Sequence, residues 1–301
     1  MRTLRQTLTV LALVLATSLS AQAPDKPEWT TPLPPFQIAD NLYYVGSQDL
    51  GVFLITTPKG NILINANLES SPPQIRASIE KLGFRYKDTK ILLNGQAHFD
   101  HMAGAAQVLR ETHAKNMVMD GDAEVVRTGG HSDFLASTGS VRFYPPAHVD
   151  RVLHDGDKVT LGNVTLTAHK TAGHTRGCTT WTFRVHLPGD PPTQLRNVVI
   201  VGGVTFWSDF HFVTTPTHPE SYPGIAADFA QTFRTLRALP CDLFLGEHGS
   251  YFDMLTKLQR YPTEGPKVFI DPKGYLELIN DSQAKFEAAL AKQKQEAAAA
   301  H

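Results

Sequence analysis

Three apolar segments with β-strand character each run directly into a loop carrying histidine, and this recurrence constrains the chain more than any bulk property does. Ile91-Leu92-Leu93 leads into Gln96-Ala97-His98-Phe99-Asp100-His101. The stretch from Val164 to Lys170 leads into Thr171-Ala172-Gly173-His174, and Leu243-Phe244-Leu245-Gly246 leads into Glu247-His248-Gly249. Imidazole and carboxylate are the donors suited to zinc and similar divalent ions. In an extended loop, side chains at 96, 98 and 100 alternate with their neighbours, and the adjacent His101 points the other way. The first motif is therefore expected to serve two metals, with Gln96 and His98 facing one and Asp100 and His101 facing the other. That arrangement suits a two-metal hydrolase.

Thirteen histidines are present, more than a pair of metal sites can use. His113, His131, His148, His211 and His218 read as surface or structural residues, and His169 as packing within its strand. His98, Asp100, His101, His174 and His248 stand apart because each follows a strand-like run.

The rest of the chain is that of an ordinary globular protein. It has 301 residues, 42% hydrophobic and 19% charged, enough for a sizeable core. The N-terminus reads as a secretory signal over residues 1–23. Arg2 and Arg5 precede an apolar run from Leu8 to Leu15, and Ala21-Gln22-Ala23 supplies the small residues of a cleavage site. The run is shorter than the roughly 20 apolar residues that a membrane span requires. Those 23 residues hold two Arg and no acid, so removing them takes the formal charge from −1 to −3. Without a basic run or an aromatic-interleaved basic stripe, nucleic acid is not an expected partner. Cys178 and Cys241 lie in separate segments and are expected to be buried free thiols.

Residues 24–301 read as one domain of mixed α and β. A Pro-rich N-terminal arm comes first, and then β-type runs with Pro58-Lys59-Gly60 as a hairpin turn. Ser71 is expected to cap a helix begun by Pro72 and Pro73 and closed by Gly83. A second helix is expected from about Ala103 to Thr112, and a third from about Ile225 to Leu239, where Phe229, Phe233 and Leu236 fall at helical spacing. After Leu243-Phe244-Leu245-Gly246 the chain reads as a polar loop. A last helix follows from about Gly274, its C-terminal tail expected to fray.

The succession H-x-H-x-D-H, then G-H-T, then a late His after a strand resembles the metallo-β-lactamase superfamily, whose fold is an αββα sandwich. Here the first position of the motif is Gln96. "HFDHMAGAA", "TAGHTRGCTTW", the segment from Tyr222 to Met254 and the later Lys257 resemble the subclass B3 enzymes, and the likeness spans roughly residues 35–290. It implies an exported, periplasmic, monomeric zinc enzyme that hydrolyses the β-lactam amide bond through a metal-bound hydroxide. It also implies two Zn2+ per chain. His98 and His174 would hold the first with Gln96 in the place of the third ligand, which would weaken that site. Asp100, His101 and His248 would hold the second, Asp100 would orient the hydroxide, and Thr205 would bind the substrate carboxylate.

Relatives acting on thioesters and lactones usually carry a metal-bridging Asp after a middle strand. This chain has Gly203 there, in "NVVIVGGVTF", which favours the lactamase branch. Asn65 replaces a common Asp that supports the ligands from behind. Arg176 reads as a surface residue, and Trp207 with Phe206 as an aromatic roof over the site. The alternatives are another hydrolase of this fold acting on a lactone, ester or thioester, and a metal-binding protein with little catalysis.

Overall fold

The computed structural model describes residues 25–299, so the expected signal peptide lies outside the described residues. A helical turn, α1 (Pro27–Thr30), precedes an antiparallel meander of β1 (Phe36–Ala39), β2 (Leu42–Tyr44), β3 (Phe53–Thr57) and β4 (Gly60–Ile64). Helix α2 (Pro72–Lys81) carries the chain to β5 (Thr89–Leu93), which lies parallel to β4. Helices α3 (Phe99–Met102) and α4 (Ala105–Thr112) lead to β6 (Lys115–Met119), and α5 (Ala123–Arg127) precedes β7 (Arg151–Leu153). These seven strands form one sheet in sequence order.

The second sheet takes β8 (Lys158–Leu161), β9 (Val164–Lys170), β10 (Thr179–Val185) and β11 (Arg196–Val201). After α6 (Ile225–Ala238) it gains β12 (Leu243–Gly246), parallel to β11. Its order is β12-β11-β10-β9-β8. Helices α7 (Met254–Glu264) and α8 (Pro272–Ala299) complete the chain. Two sheets flanked by helices match the expected αββα sandwich.

The strand sequences show why the sheets stack. In β3, β4 and β5 every second residue joins one core and the residues between join another. Phe53, Ile55, Ile62, Ile64, Ile91 and Leu93 pack toward the second sheet. Leu54, Leu63 and Leu92 face the opposite way, onto Ile75 and Ile79 of α2 and Val108 of α4. A strand buried on both faces reads as a continuous apolar run, the pattern of a central strand between layers. Truncating such a residue, for example Leu92→Ala, costs about 2–5 kcal/mol. On the other side Phe229 of α6 stacks on Phe286 of α8, with ring centroids 5.2 Å apart, and both belong to the core beneath the second sheet.

Local signals explain most boundaries. Pro58 and Lys59 make the β3–β4 turn and Gly60 leaves it at φ 118°, a conformation open to glycine. Ser71 sits before α2 but makes no side-chain cap; its carbonyl instead accepts from the Ile75 amide at 3.0 Å. Two expectations need correction. The motif loop is extended only as far as His98, and Phe99–Met102 is a helical turn. The polar loop after β12 contains α7, whose Pro262 and scattered apolar residues obscured a helical pattern. The last helix, α8, runs on to Ala299.

The two sheets meet at the ends where β5, β11 and β12 finish. Gly95 O accepts from the Thr179 amide at 2.6 Å, and the Trp181 indole donates to Asn94 O at 2.9 Å. The Gly51 amide donates to Glu247 O at 2.6 Å. Every residue of the candidate site lies along this seam.

Candidate metal centre

Gln96 and His98 leave β5 on extended backbone, and the helical turn that follows swings Asp100 and His101 onto the same floor. Division of the motif between two sites therefore does not arise from strict alternation. The 98–101 segment changes from extended to helical, and that change aims the last two side chains. His174 arrives from the loop between β9 and β10, and His248 from the residues after β12.

Two pairs of ring nitrogens face each other on this floor. His98 Nδ1 and His174 Nε2 are 3.1 Å apart, and His101 Nε2 and His248 Nε2 are 3.2 Å apart. Two nitrogens each about 2.0–2.1 Å from a tetrahedral zinc lie roughly 3.3 Å from one another, so both pairs suit one ion each. Asp100 Oδ2 joins the second pair at 3.5 Å from His101 and 3.6 Å from His248. Asp100, His101 and His248 thus form a three-donor cluster with ligand atoms within 4.8 Å of one another.

Beside the first pair, Gln96 is buried, and its Oε1 accepts from the His98 amide at 3.3 Å. Its carboxamide is turned back on the loop that carries it.

The outward nitrogen of each imidazole meets a fixed group, and such contacts set the tautomer and orientation of a ligating histidine. His98 Nε2 faces Asp133 Oδ2 at 3.6 Å, and Oδ1 of the same carboxylate accepts from the Leu135 amide at 2.7 Å. His174 Nδ1 meets Thr205 O at 2.7 Å, and His248 Nδ1 meets Asp49 Oδ2 at 3.0 Å. His101 Nδ1 lies against the Asn65 amide at 3.4 Å and Glu247 Oε2 at 3.9 Å. Asn65 also donates to Gly51 O and accepts from the Gly95 amide, so it braces the loop as a neutral stand-in for a carboxylate. Asp122, held by Thr175 Oγ1 and the Gly177 amide at 2.8 Å each, fixes the loop that carries His174.

Burial and charge act together on these groups. Burial pushes His101 and His174 down to about 3, leaving both neutral near pH 7 with lone pairs available. Burial also opposes protonation of His98, but its contact with Asp133 outweighs that and raises it. For Asp100, burial favours the neutral acid, yet the surrounding His101, His248, His98 and His174 hold it below the usual carboxylate range. Burial raises Glu247 well above its ordinary value, and its carboxyl packs against Gly95.

A pocket of ≈ 520 Å³ opens above the floor. Its lining includes His98, Asp100, His174, Thr205, Trp207 and His248. Trp207 packs on His98 and His174, with centroids 5.6 and 5.4 Å away. Phe206 does not share this role; it turns to Phe212 and Phe229 in the core. The Thr205 side chain is exposed at the pocket, 3.5 Å from the Tyr251 hydroxyl. A larger cleft of ≈ 990 Å³ exists elsewhere, lined by Lys59, Lys90 and Arg184, and contains none of the candidate ligands.

Gly203 has a direct physical reason. A Cβ there would lie 2.3 Å from His174 Cδ2, so no carboxylate can occupy the position while His174 stays in place. Arg176 is exposed and sits over the Tyr222 ring. His169 bonds Thr182 within its sheet at 2.8 Å. Both cysteines are free; Cys178 is buried, whereas Cys241 is only partly so. Lys257 is buried away from the pocket and pairs with Asp271 at 2.7 Å.

Sequence reasoning missed the supporting residues Asp49, Asp133 and Glu247, and it missed Trp29 and Lys26 of the N-terminal arm, which line the pocket. Of these only Glu247 carried a signal, by adjacency to His248.

Comparison with known proteins agrees with this geometry. The native FEZ-1 metallo-β-lactamase from Legionella gormanii is 44% identical. The match covers 88% of this chain and 98% of that one, with a TM-score of 0.82. GOB-18 from Elizabethkingia meningoseptica, also a metallo-β-lactamase, is 37% identical over 90% of this chain and 97% of its own, again with a TM-score of 0.82. BJP-1, a subclass B3 metallo-β-lactamase of Bradyrhizobium japonicum, is 32% identical over 90% and 98%, with a TM-score of 0.80. Residues 52–264, which contain every candidate ligand, match the superfamily's own sequence pattern. With the strand-borne histidines, the two-sheet sandwich and relatives over nearly its whole described length, the chain belongs to the metallo-β-lactamase superfamily.

Proposed function

We propose that the protein is an exported, monomeric zinc enzyme that hydrolyses the amide bond of β-lactams. The observation that carries this reading is the pair of facing imidazole couples on the floor of a 520 Å³ pocket, with Asp100 beside the second couple and the outer nitrogens facing fixed groups. The likeness to class B3 β-lactamases supports it.

Asp100, His101 and His248 would hold one zinc, and His98 with His174 the other, Gln96 standing where relatives have a third imidazole. When bound, the ions supply Lewis acidity and lower the pKa of bound water. Around them, the chain's own groups orient and exclude. Asp100 turns Oδ2 toward His101 and His248, leaving Oδ1 to accept a hydrogen bond from the attacking water. The Trp207 ring covers one side of the floor and keeps bulk water from it. Thr205 Oγ1 stands at the pocket wall as a donor for a substrate carboxylate. Gln96 Oε1 would have to leave the His98 amide to reach the first site, directly or through a bridging water, and that site would bind more weakly, since a neutral amide oxygen is a poorer donor to zinc than imidazole.

Zinc content measured together with hydrolysis of a penicillin, a carbapenem and a homoserine lactone tests the reading. Turnover of a β-lactam by the zinc-loaded protein is the expected result. Two bound zincs with turnover of the lactone alone would transfer the function to the other hydrolases of this fold.

A further inference from the structure

Trp29 belongs to the N-terminal arm, far in sequence from every candidate ligand, yet its indole reaches the back of the metal floor. The indole Nε1 donates to Asp49 Oδ2 at 3.1 Å, and the same oxygen meets His248 Nδ1 at 3.0 Å. Asp49 Oδ1 accepts from the Ser250 amide at 2.9 Å. Three donors from two segments, the N-terminal arm and the 248–250 turn, thus pin one carboxylate. The backbone repeats the weave: the Asp49 amide donates to Glu28 O at 3.1 Å, and the Gly249 amide donates to Asp49 O at 2.6 Å.

The Trp29 ring also lies beside two of the three ligand-bearing loops. Its centroid lies 6.0 Å from Phe99, between His98 and Asp100 in sequence, and 6.1 Å from His248. A second arm residue strengthens this docking. Asp25 pairs with Arg142, whose guanidinium sits 3.7 Å over the Phe99 ring.

We propose that Trp29 is a positioning residue for the metal site, acting through Asp49 to hold His248 with Nδ1–H outward and Nε2 turned to the ion. The physical basis is the fixed tautomer. An imidazole whose outer N–H donates a hydrogen bond to an immobilised carboxylate presents its inner lone pair without rearrangement, and a stronger acceptor makes a more basic ligand. Without the indole N–H, the Asp49 carboxylate keeps two donors and gains freedom to rotate away from His248. The inference rests on the reading that Asp100, His101 and His248 hold zinc.

The test is zinc affinity of the full mature chain, measured by competition with a chromophoric chelator, with the absorption spectrum of the cobalt(II)-substituted protein as a second readout. Asp49→Asn should weaken zinc binding about 10- to 100-fold, the usual cost of losing such a partner. Trp29→Phe keeps an aromatic ring but no N–H and should weaken it about tenfold, with an altered cobalt spectrum. In the Asp49→Asn background, Trp29→Phe should add nothing. Trp29→Tyr provides a second N–H deletion if the Phe variant does not fold. Parent-like affinity and spectrum in a folded Trp29 variant would overturn the inference alone. So would an undiminished Trp29 effect in the Asp49→Asn background, which would assign the residue to packing. A parent protein that takes up no zinc would overturn the metal reading and this inference with it.

Discussion

On one side of the floor stand His98 and His174 with Gln96; on the other stand Asp100, His101 and His248. Their surroundings are alike. Each imidazole has its outer nitrogen against a fixed group, whether Asp133, Thr205 O, Asp49, or Asn65 with Glu247. Their donors differ. The second group offers two imidazoles and a carboxylate, whereas the first offers two imidazoles and an amide whose oxygen is engaged with the His98 backbone. Preorganisation and donor strength are therefore separable here: the scaffold prepares both halves, and on the proposed reading a single side chain would make one weaker.

The largest expected effect breaks the carboxylate-bearing half. His248→Ala removes one of about four donors that share roughly 10–16 kcal/mol of zinc binding, so affinity there should fall about a hundredfold or more. Metal titration with a chelator reads it, and the other half should be little changed. Next, Asp133→Asn removes the anchor of His98 and should cost the first half about 10- to 100-fold, sparing the second. Equal loss at both halves would mean that they do not bind independently. Gln96→His should then strengthen the first half by about tenfold, narrowing the gap between the two. Unchanged affinity would place Gln96 outside the donor set.

A separate effect, read as stability and not as affinity, concerns pH and the zinc-free protein. His101 and His174, one in each half, are held down at about 3 in the folded state, against about 6.5 when exposed. Between those values the unfolded chain binds more protons than the folded one, so stability rises with pH. Their contribution is complete above about pH 6.5 and is lost as the pH falls toward 3, at up to about 1.4 kcal/mol per pH unit for each. His98 is shifted the other way by Asp133 and should offset part of this loss near neutrality. Thermal unfolding of the zinc-free protein from pH 7 to 4 measures the balance, and Asp133→Asn should make the decline steeper at its upper end.

The candidate ligands were legible because each follows a strand whose apolar run announces it. Ile91-Leu92-Leu93 fixes where His98 emerges, and Leu243 to Gly246 does the same for His248. The helical turn at Phe99–Met102 was not legible, since four residues carry too little periodicity to overrule an extended reading. Strands β6 and β7 are short and of mixed polarity, and they went unread for the same reason. Asp49 was hidden for a different reason. Its loop meets His248 across 199 positions, a contact created by the closing of the two sheets and not by any local pattern. Trp29 and Asp133 likewise gain their meaning only when distant segments meet.

Gly203 bears on what this lineage can become. A neighbouring hydrolase that needs a bridging carboxylate after β11 cannot be reached from here by one substitution, because any side chain at 203 would first collide with the His174 ring. His174 would have to move before the Asp arrived, and moving it would remove a donor before its replacement existed. The intermediate would hold metal worse than either endpoint. In adaptive terms the two chemistries are separated by a valley one residue wide, and the absent side chain at 203 keeps this protein on its own side.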